Sequence, residues 1–144
     1  MKAYMTWGIG YGKTREMAEI NAQRDANLEK IRVSKLDKLE IPRYEIVDDR
    51  KFLMKLKGEF PGIVLQNCAK SEVASELIFA ITEDKMFIGK GKSTSPLKAR
   101  KLAHHEAEKA AGGEGIESFD GIAAIAPYRK DFYGCAIVAL VIVK

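Results

Sequence analysis

Cysteine and histidine are scarce in this chain, with two of each among its 144 residues. Cys68 and Cys135 lie far apart and match no metal-binding spacing. Both adjoin apolar runs, which predicts buried free thiols in a reducing compartment rather than a disulfide. Long hydrophobic runs are missing too. The longest, "CAIVALVIV" (Cys135–Val143), is about half of the roughly 20 residues that a membrane-spanning helix needs. The opening "MKAYMTWGIGYGK" has no apolar stretch of the secretory kind. The expectation is a soluble, cytoplasmic protein with no membrane partner.

A large excess of one charge is also absent. Lys plus Arg number 24 and Asp plus Glu 20, a net +4. Phosphate binding normally shows as a concentrated basic face, so this balance does not call for a nucleic-acid partner. The most basic stretch, residues 30–57, holds nine Lys/Arg (Lys30 to Lys57) against five acids (Asp37, Glu40, Glu45, Asp48 and Asp49). It reads first as a solvated charged loop region. With 47% apolar and 31% charged residues the composition is that of one globular domain, 1–144.

What is present is a loose internal echo. "YMTWGIGYGKTREMAEINAQRDANL" reads as strand, glycine turn and helix, and "KMFIGKGKSTSPLKARKLAHHEAEKAAGG" repeats that order. Ser95 can cap the second helix, Pro96 suits its first position, and Gly112–Gly113 stop it. Leu97, Ala99, Leu102, Ala103, Ala107 and Ala110 are expected to form a stripe along it, as Met17, Ala18, Ala22 and Ala26 do on the first. Alanines at helical spacing allow close approach, so each helix is expected to lie tightly on a sheet. Strands are predicted at Ile31–Val33, Tyr44–Val47, Gly62–Gln66, Leu77–Ile81, Met86–Ile88, Ile122–Ala126 and Cys135–Val143, with Asp48–Pro61 as a loop holding a short irregular element. The last strand is apolar on both faces, as a strand covered on both sides should be. The fold class is α/β, a sandwich with sheet inside and helices outside.

Several motifs tempt and fail. "GIGYGKT" (Gly8–Thr14) resembles a phosphate loop, but the spacing needs glycine where Trp7 stands, and "GKS" (Gly91–Ser93) needs it at Met86. Neither glycine group fits the dinucleotide pattern. A turn feeding a helix packed closely on its strand needs glycine in any case. "HHEAE" puts His104 and Glu108 on one helical face without a third metal ligand, so no metal is expected. No nucleophile elbow or other hydrolase motif is present.

One stretch points further. "NLEKIRVSKL" (Asn27–Leu36), with "GYGKTREMAEINA" before it and "EIPRYEIV" after it, resembles the archaeal pyruvoyl-dependent arginine decarboxylases. The likeness continues through "FPGIVLQNCAKSEVASELIFAI" (Phe60–Ile81) and "SFDGIAAIAPYRKDFYGCAIVALVIVK" (Ser118–Lys144), covering most of the chain in order. The resemblance implies an αββα sandwich of the pyruvoyl-dependent histidine/arginine decarboxylase type, assembled as a trimer or hexamer with pockets between subunits. It implies decarboxylation of arginine to agmatine, a polyamine precursor. The prosthetic group would be made from the backbone: a serine attacks the preceding carbonyl, the ester eliminates, and the new N-terminus becomes a pyruvoyl ketone that takes up the substrate amine.

That chemistry needs a β-oxygen on the residue that becomes the ketone. The family has consecutive serines at the cleavage point; Ser34 matches the first, and Lys35 stands in the pyruvoyl-forming place. Lysine has no β leaving group. The family's processing asparagine corresponds to Glu29, its proton-donating glutamate to Gly89, and its guanidinium-binding acid to Ile20, with Glu16 and Glu19 nearby.

The first reading is therefore a non-processing relative, without cofactor, acting as a binding or regulatory protein, alone or in mixed oligomers with an active paralogue. An arginine-like molecule is its family-based ligand, and Glu16, Glu19 and Glu29 are the acids to test. The second reading is an active decarboxylase cut at Val33–Ser34, with Ser34 as pyruvoyl precursor and Glu29 or a neighbouring subunit's acid as proton donor. That shift turns the reactive carbonyl to the other face of the strand. The third, an RNA-binding module, rests on the basic 30–57 segment and Arg43–Tyr44. For Ser34 itself, a hydrogen bond to the following turn is the default expectation.

Overall fold

The strand-forming runs separate into two sheets in the computed structural model, which describes residues 1–144. The strands are β1 (Lys2–Gly12), β2 (Ile31–Lys35), β3 (Glu40–Pro42), β4 (Glu45–Val47), β5 (Gly58–Ala69), β6 (Val73–Ile81), β7 (Lys85–Ser93), β8 (Ser118–Ala126) and β9 (Tyr133–Val143). The helices are α1 (Arg15–Asp25), α2 (Arg50–Leu53) and α3 (Pro96–Ala111). A five-stranded sheet, A, runs β2-β5-β9-β1-β4, and a four-stranded sheet, B, runs β3-β7-β6-β8. Sheet B is antiparallel throughout, whereas β2 pairs parallel to β5 and β4 parallel to β1.

Period-two alternation divides each strand between two cores. On β9, Ala136, Val138, Leu140 and Ile142 meet Leu77, Phe79, Met86 and Ile88 of the other sheet. Its alternate residues Cys135, Ile137, Ala139 and Val141 instead pack with Ala18, Ala22 and Ala26 of the α1 segment. A third cluster joins Ile78, Ala80 and Phe87 of sheet B to Ala103, Ala107 and Ala111 of α3. The layers are thus helix, sheet, sheet, helix, and β9 is covered on both faces as its composition predicts.

Both outer layers rest on one device, a glycine strand facing an alanine helix. A Cβ on Gly10 would stand 2.2 Å from the Ala22 nitrogen, and one on Gly91 would stand 1.9 Å from the Ala99 carbonyl oxygen. Gly8, Gly12 and Gly89 are equally obstructed by their helices. These glycines lie within β1 and β7 rather than in the turns that follow, so close approach accounts for them. Thr14 Oγ1 accepts from the Met17 N–H at 3.2 Å to start α1, and Ser95 Oγ accepts from the Lys98 N–H at 3.4 Å to start α3. Gly112, at φ 56°, ends α3 in the left-handed region.

Three expectations need correction. The buried stripe of α3 is Ala99, Ala103, Ala107 and Ala111; Leu97, Leu102 and Ala110 are exposed, as is Met17 on α1. A sheet face lined by glycine admits the helix so closely that only alanine at strict four-residue spacing fits between them. The short element expected in the 48–61 segment is α2, four residues long, but the segment is not loop to its end, since β5 begins at Gly58. Cys68 and Cys135 are buried but not free. They stand opposite each other in the β5–β9 ladder, 4.1 Å apart at Cα, and form a disulfide. Their separation of 67 residues hides a pairing that only the sheet register creates. No helix is long and apolar enough to cross a membrane.

Candidate functional site

Ser34 lies inside a strand, not at its end. β2 is an edge of sheet A, with Ser34 opposite Pro61 and Lys35 opposite Gly62, and the ladder continues as the Leu36 N–H donates to the Gly62 carbonyl at 3.1 Å. The non-glycine residues with positive φ are Asn27 and Asp131, so Val33, Ser34 and Lys35 carry no left-handed strain. The half-buried Ser34 hydroxyl makes no hydrogen bond, so the turn contact expected of it does not form. Its strand neighbours Val33 and Lys35, with Ile63, Leu65 and Lys90, line a shallow cavity of about 280 Å³ to which Ser34 does not contribute. Its two charged side chains are both lysines, which suits an anion better than a guanidinium.

The other positions drawn from the resemblance do not gather here. Glu29 is exposed and pairs with Arg24 at 3.2 Å, next to a separate small hollow with Asn27 and Met54. Glu16 and Ile20 are exposed on α1, on the outer face of sheet A, and Glu19 is half-buried there. Gly89 faces α3 from sheet B, where a Cβ would stand 1.9 Å from the Ala103 carbonyl oxygen. No side chain fits at that position while α3 keeps its seat, so an acid there has no room. Lys90, its neighbour, is the residue that reaches the β2 cavity. One chain therefore does not assemble Ser34, an acid donor and a guanidinium-binding acid at a common point.

The basic 30–57 segment is dispersed as well. It supplies β2 at one edge of sheet A, β4 at the other, and β3 at an edge of sheet B. Arg43 is committed to the Thr82 carbonyl at 3.0 Å and Glu117 at 3.2 Å, and Arg50 to the Trp7 carbonyl at 2.8 Å. His104 and Glu108 pair with each other at 2.6 Å, and the His104 ring lies 4.5 Å from that of Phe119.

The one buried charged residue lies elsewhere and was not anticipated from the sequence. Glu76, in the middle of β6, has a side chain only 8% exposed, and its one ionic partner is Arg100 Nε at 3.4 Å on α3. Burial pushes its carboxyl above the ordinary value, with the Arg100 guanidinium opposing. Next to it a cavity of about 360 Å³ is walled by Ile78, His104 and Phe119. A second, of about 250 Å³, shares Glu76, Arg100 and Ala123 with the first and runs towards Leu97 and Ile125. The two form one groove between α3 and the outer face of β8. Its only sequence signal is a lone acid inside the apolar run "VASELIFAI".

No protein-family model matches this chain, and no curated protein matches it significantly.

Proposed function

We propose that this protein is a non-processing relative of the pyruvoyl-dependent arginine decarboxylases, with their αββα sandwich, serving as a binding or regulatory subunit rather than a decarboxylase. The observation carrying this reading is Lys35 at the pyruvoyl-forming place. Without a β-oxygen, no elimination can convert that residue to a ketone, whatever attacks the peptide before it. Ser34 supplies the only hydroxyl of β2, and its strand is hydrogen-bonded to β5 on both sides of it. Regular ladder geometry holds a peptide planar and engaged, whereas acyl migration requires the carbonyl to yield to attack. The layering of two sheets between two helices agrees with that of the family, and assembly into trimers, hexamers or mixed oligomers with an active relative is part of the proposal.

Intact-mass measurement of purified protein tests it. The reading requires a single chain of about 16.0 kDa that borohydride and hydrazine leave unchanged. Two fragments, the larger with a ketone at its N-terminus in place of Ser34, would establish the active alternative instead.

A further inference from the structure

We infer that the groove between α3 and β8 is a binding site for a small alkylammonium ion, whose charged head takes the place of Arg100 on Glu76. This stands apart from the proposed function, since neither Ser34 nor Lys35 lines the groove.

The setting of Glu76 carries the argument. In the register of sheet B its neighbours across the strands are Gly91 and Ala123. Neither can cover or hydrogen-bond a carboxylate, so Glu76 sits in a notch between one residue without a side chain and one with a methyl group. The nearby walls mix apolar and polar groups: Ile78 is buried and Phe119 and Ile125 are 44% and 43% exposed, while His104 and the exposed Asp120 line the outer part of the cavity. An acid taken out of water into such a setting needs a close cation. Arg100 meets the need only in part. It approaches through Nε at 3.4 Å rather than with both arms of its fork, and its side chain is 68% exposed. Turning it out into water therefore loses little, while a compact ammonium brings three donors to the carboxylate.

The rest of the groove fits a short hydrocarbon attached to that head. The cavity of about 360 Å³ lies at the lower end of the range for ligand pockets, roughly 300–1,000 Å³. The Phe119 ring offers a face for a cation or its adjoining methylene groups. Arg100, once displaced, remains at the rim, so a ligand that also carries a carboxylate gains a second contact there.

The test uses the full-length protein, labelled with nitrogen-15 and titrated with n-butylammonium, n-butanol and butyrate. The expected result is saturable amide shifts at Glu76, Ile78, Arg100, Phe119 and Ala123 with the ammonium alone. Glu76→Gln should weaken that binding at least tenfold. Arg100→Met, which keeps the stem but removes the competing charge, should tighten it several-fold. The inference is overturned if n-butanol produces the same shifts, if no probe saturates, if Glu76→Gln leaves the affinity unchanged, or if Arg100→Met weakens it. It is equally overturned if Leu97→Asp or Ile125→Asp breaks a ligand-free oligomer into monomers, because the groove would then be covered by a second copy of the chain.

Discussion

A single methyl group added at Gly89 probes how α3 is seated. In Gly89→Ala the new Cβ would lie 1.9 Å from the Ala103 carbonyl oxygen, 2.6 Å from the Ala107 nitrogen and 2.9 Å from the Ala107 Cβ. Two of these are backbone atoms of a regular helix and cannot rotate aside. Ordinary contact begins at 3.4 Å, so α3 must lift by about 1.5 Å. The residues it buries are Ala99, Ala103, Ala107 and Ala111, whose methyl groups are too short to keep contact across such a gap. Overpacking usually costs about 1–3 kcal/mol, and obstruction by backbone puts this change at the upper end, about 3 kcal/mol. For a chain of this length that corresponds to roughly 10 °C in melting temperature. Urea unfolding followed by circular dichroism measures it, with Gly115→Ala, which meets nothing within 4 Å, as control. Gly91→Ala should behave like Gly89→Ala, and the double variant should lose less than the two singles together, because a helix lifted once accommodates the second methyl. A loss below about 1 kcal/mol for Gly89→Ala, at an unchanged urea slope, would refute this account of the packing.

Glu76→Gln should raise the melting temperature at neutral pH. A carboxyl whose folded value lies above its unfolded one stabilises the fold when protonated, and that contribution is lost as pH rises through the raised value. The advantage of glutamine should therefore shrink as pH falls towards the ordinary carboxylate range, and a gap independent of pH would contradict it. Reduction of the Cys68–Cys135 disulfide, which closes a loop of 67 residues, should lower stability by up to about 4 kcal/mol on the chain-entropy estimate. Urea titrations with and without reductant would show it, and an unchanged midpoint in protein proven by alkylation to be fully reduced would count against it.

How much of this was legible beforehand depends on the range of the interactions involved. The ends of α3 follow from Ser95–Pro96 and Gly112, because caps and stops act within a few residues. The buried character of β9 follows from its own composition. β3 does not, since its three residues are held by pairing Ile41 with Met86 and Glu40 with Phe87 far along the chain. The disulfide escaped for the same reason: opposite register in β5 and β9 is a property of the sheet, not of either cysteine's neighbours. Gly89 shows a further limit. The sequence shows only a glycine between two strand residues, and the reason it must be glycine, the backbone of α3 lying against it, is a property of the packed helix.

The same long-range logic explains why the groove opens where it does. Each sheet uses a glycine-bearing strand as the bed for an alanine-striped helix, but the beds are placed differently. In sheet A that strand is β1, flanked by β9 and β4, and α1 covers the β1–β9 side while α2 adds Leu53 and Phe52 to the same core. In sheet B it is β7, and α3 spans β7 and β6, leaving β8 at the edge with its outward residues Phe119, Ala123 and Ile125 bare. Glu76 lies on the boundary, on the last strand that α3 reaches. Where it is, one side is dry and the other is a cavity. A carboxylate on that line can be neutralised either by the helix beside it or by whatever enters the groove, and the geometry of Arg100 leaves the second route open.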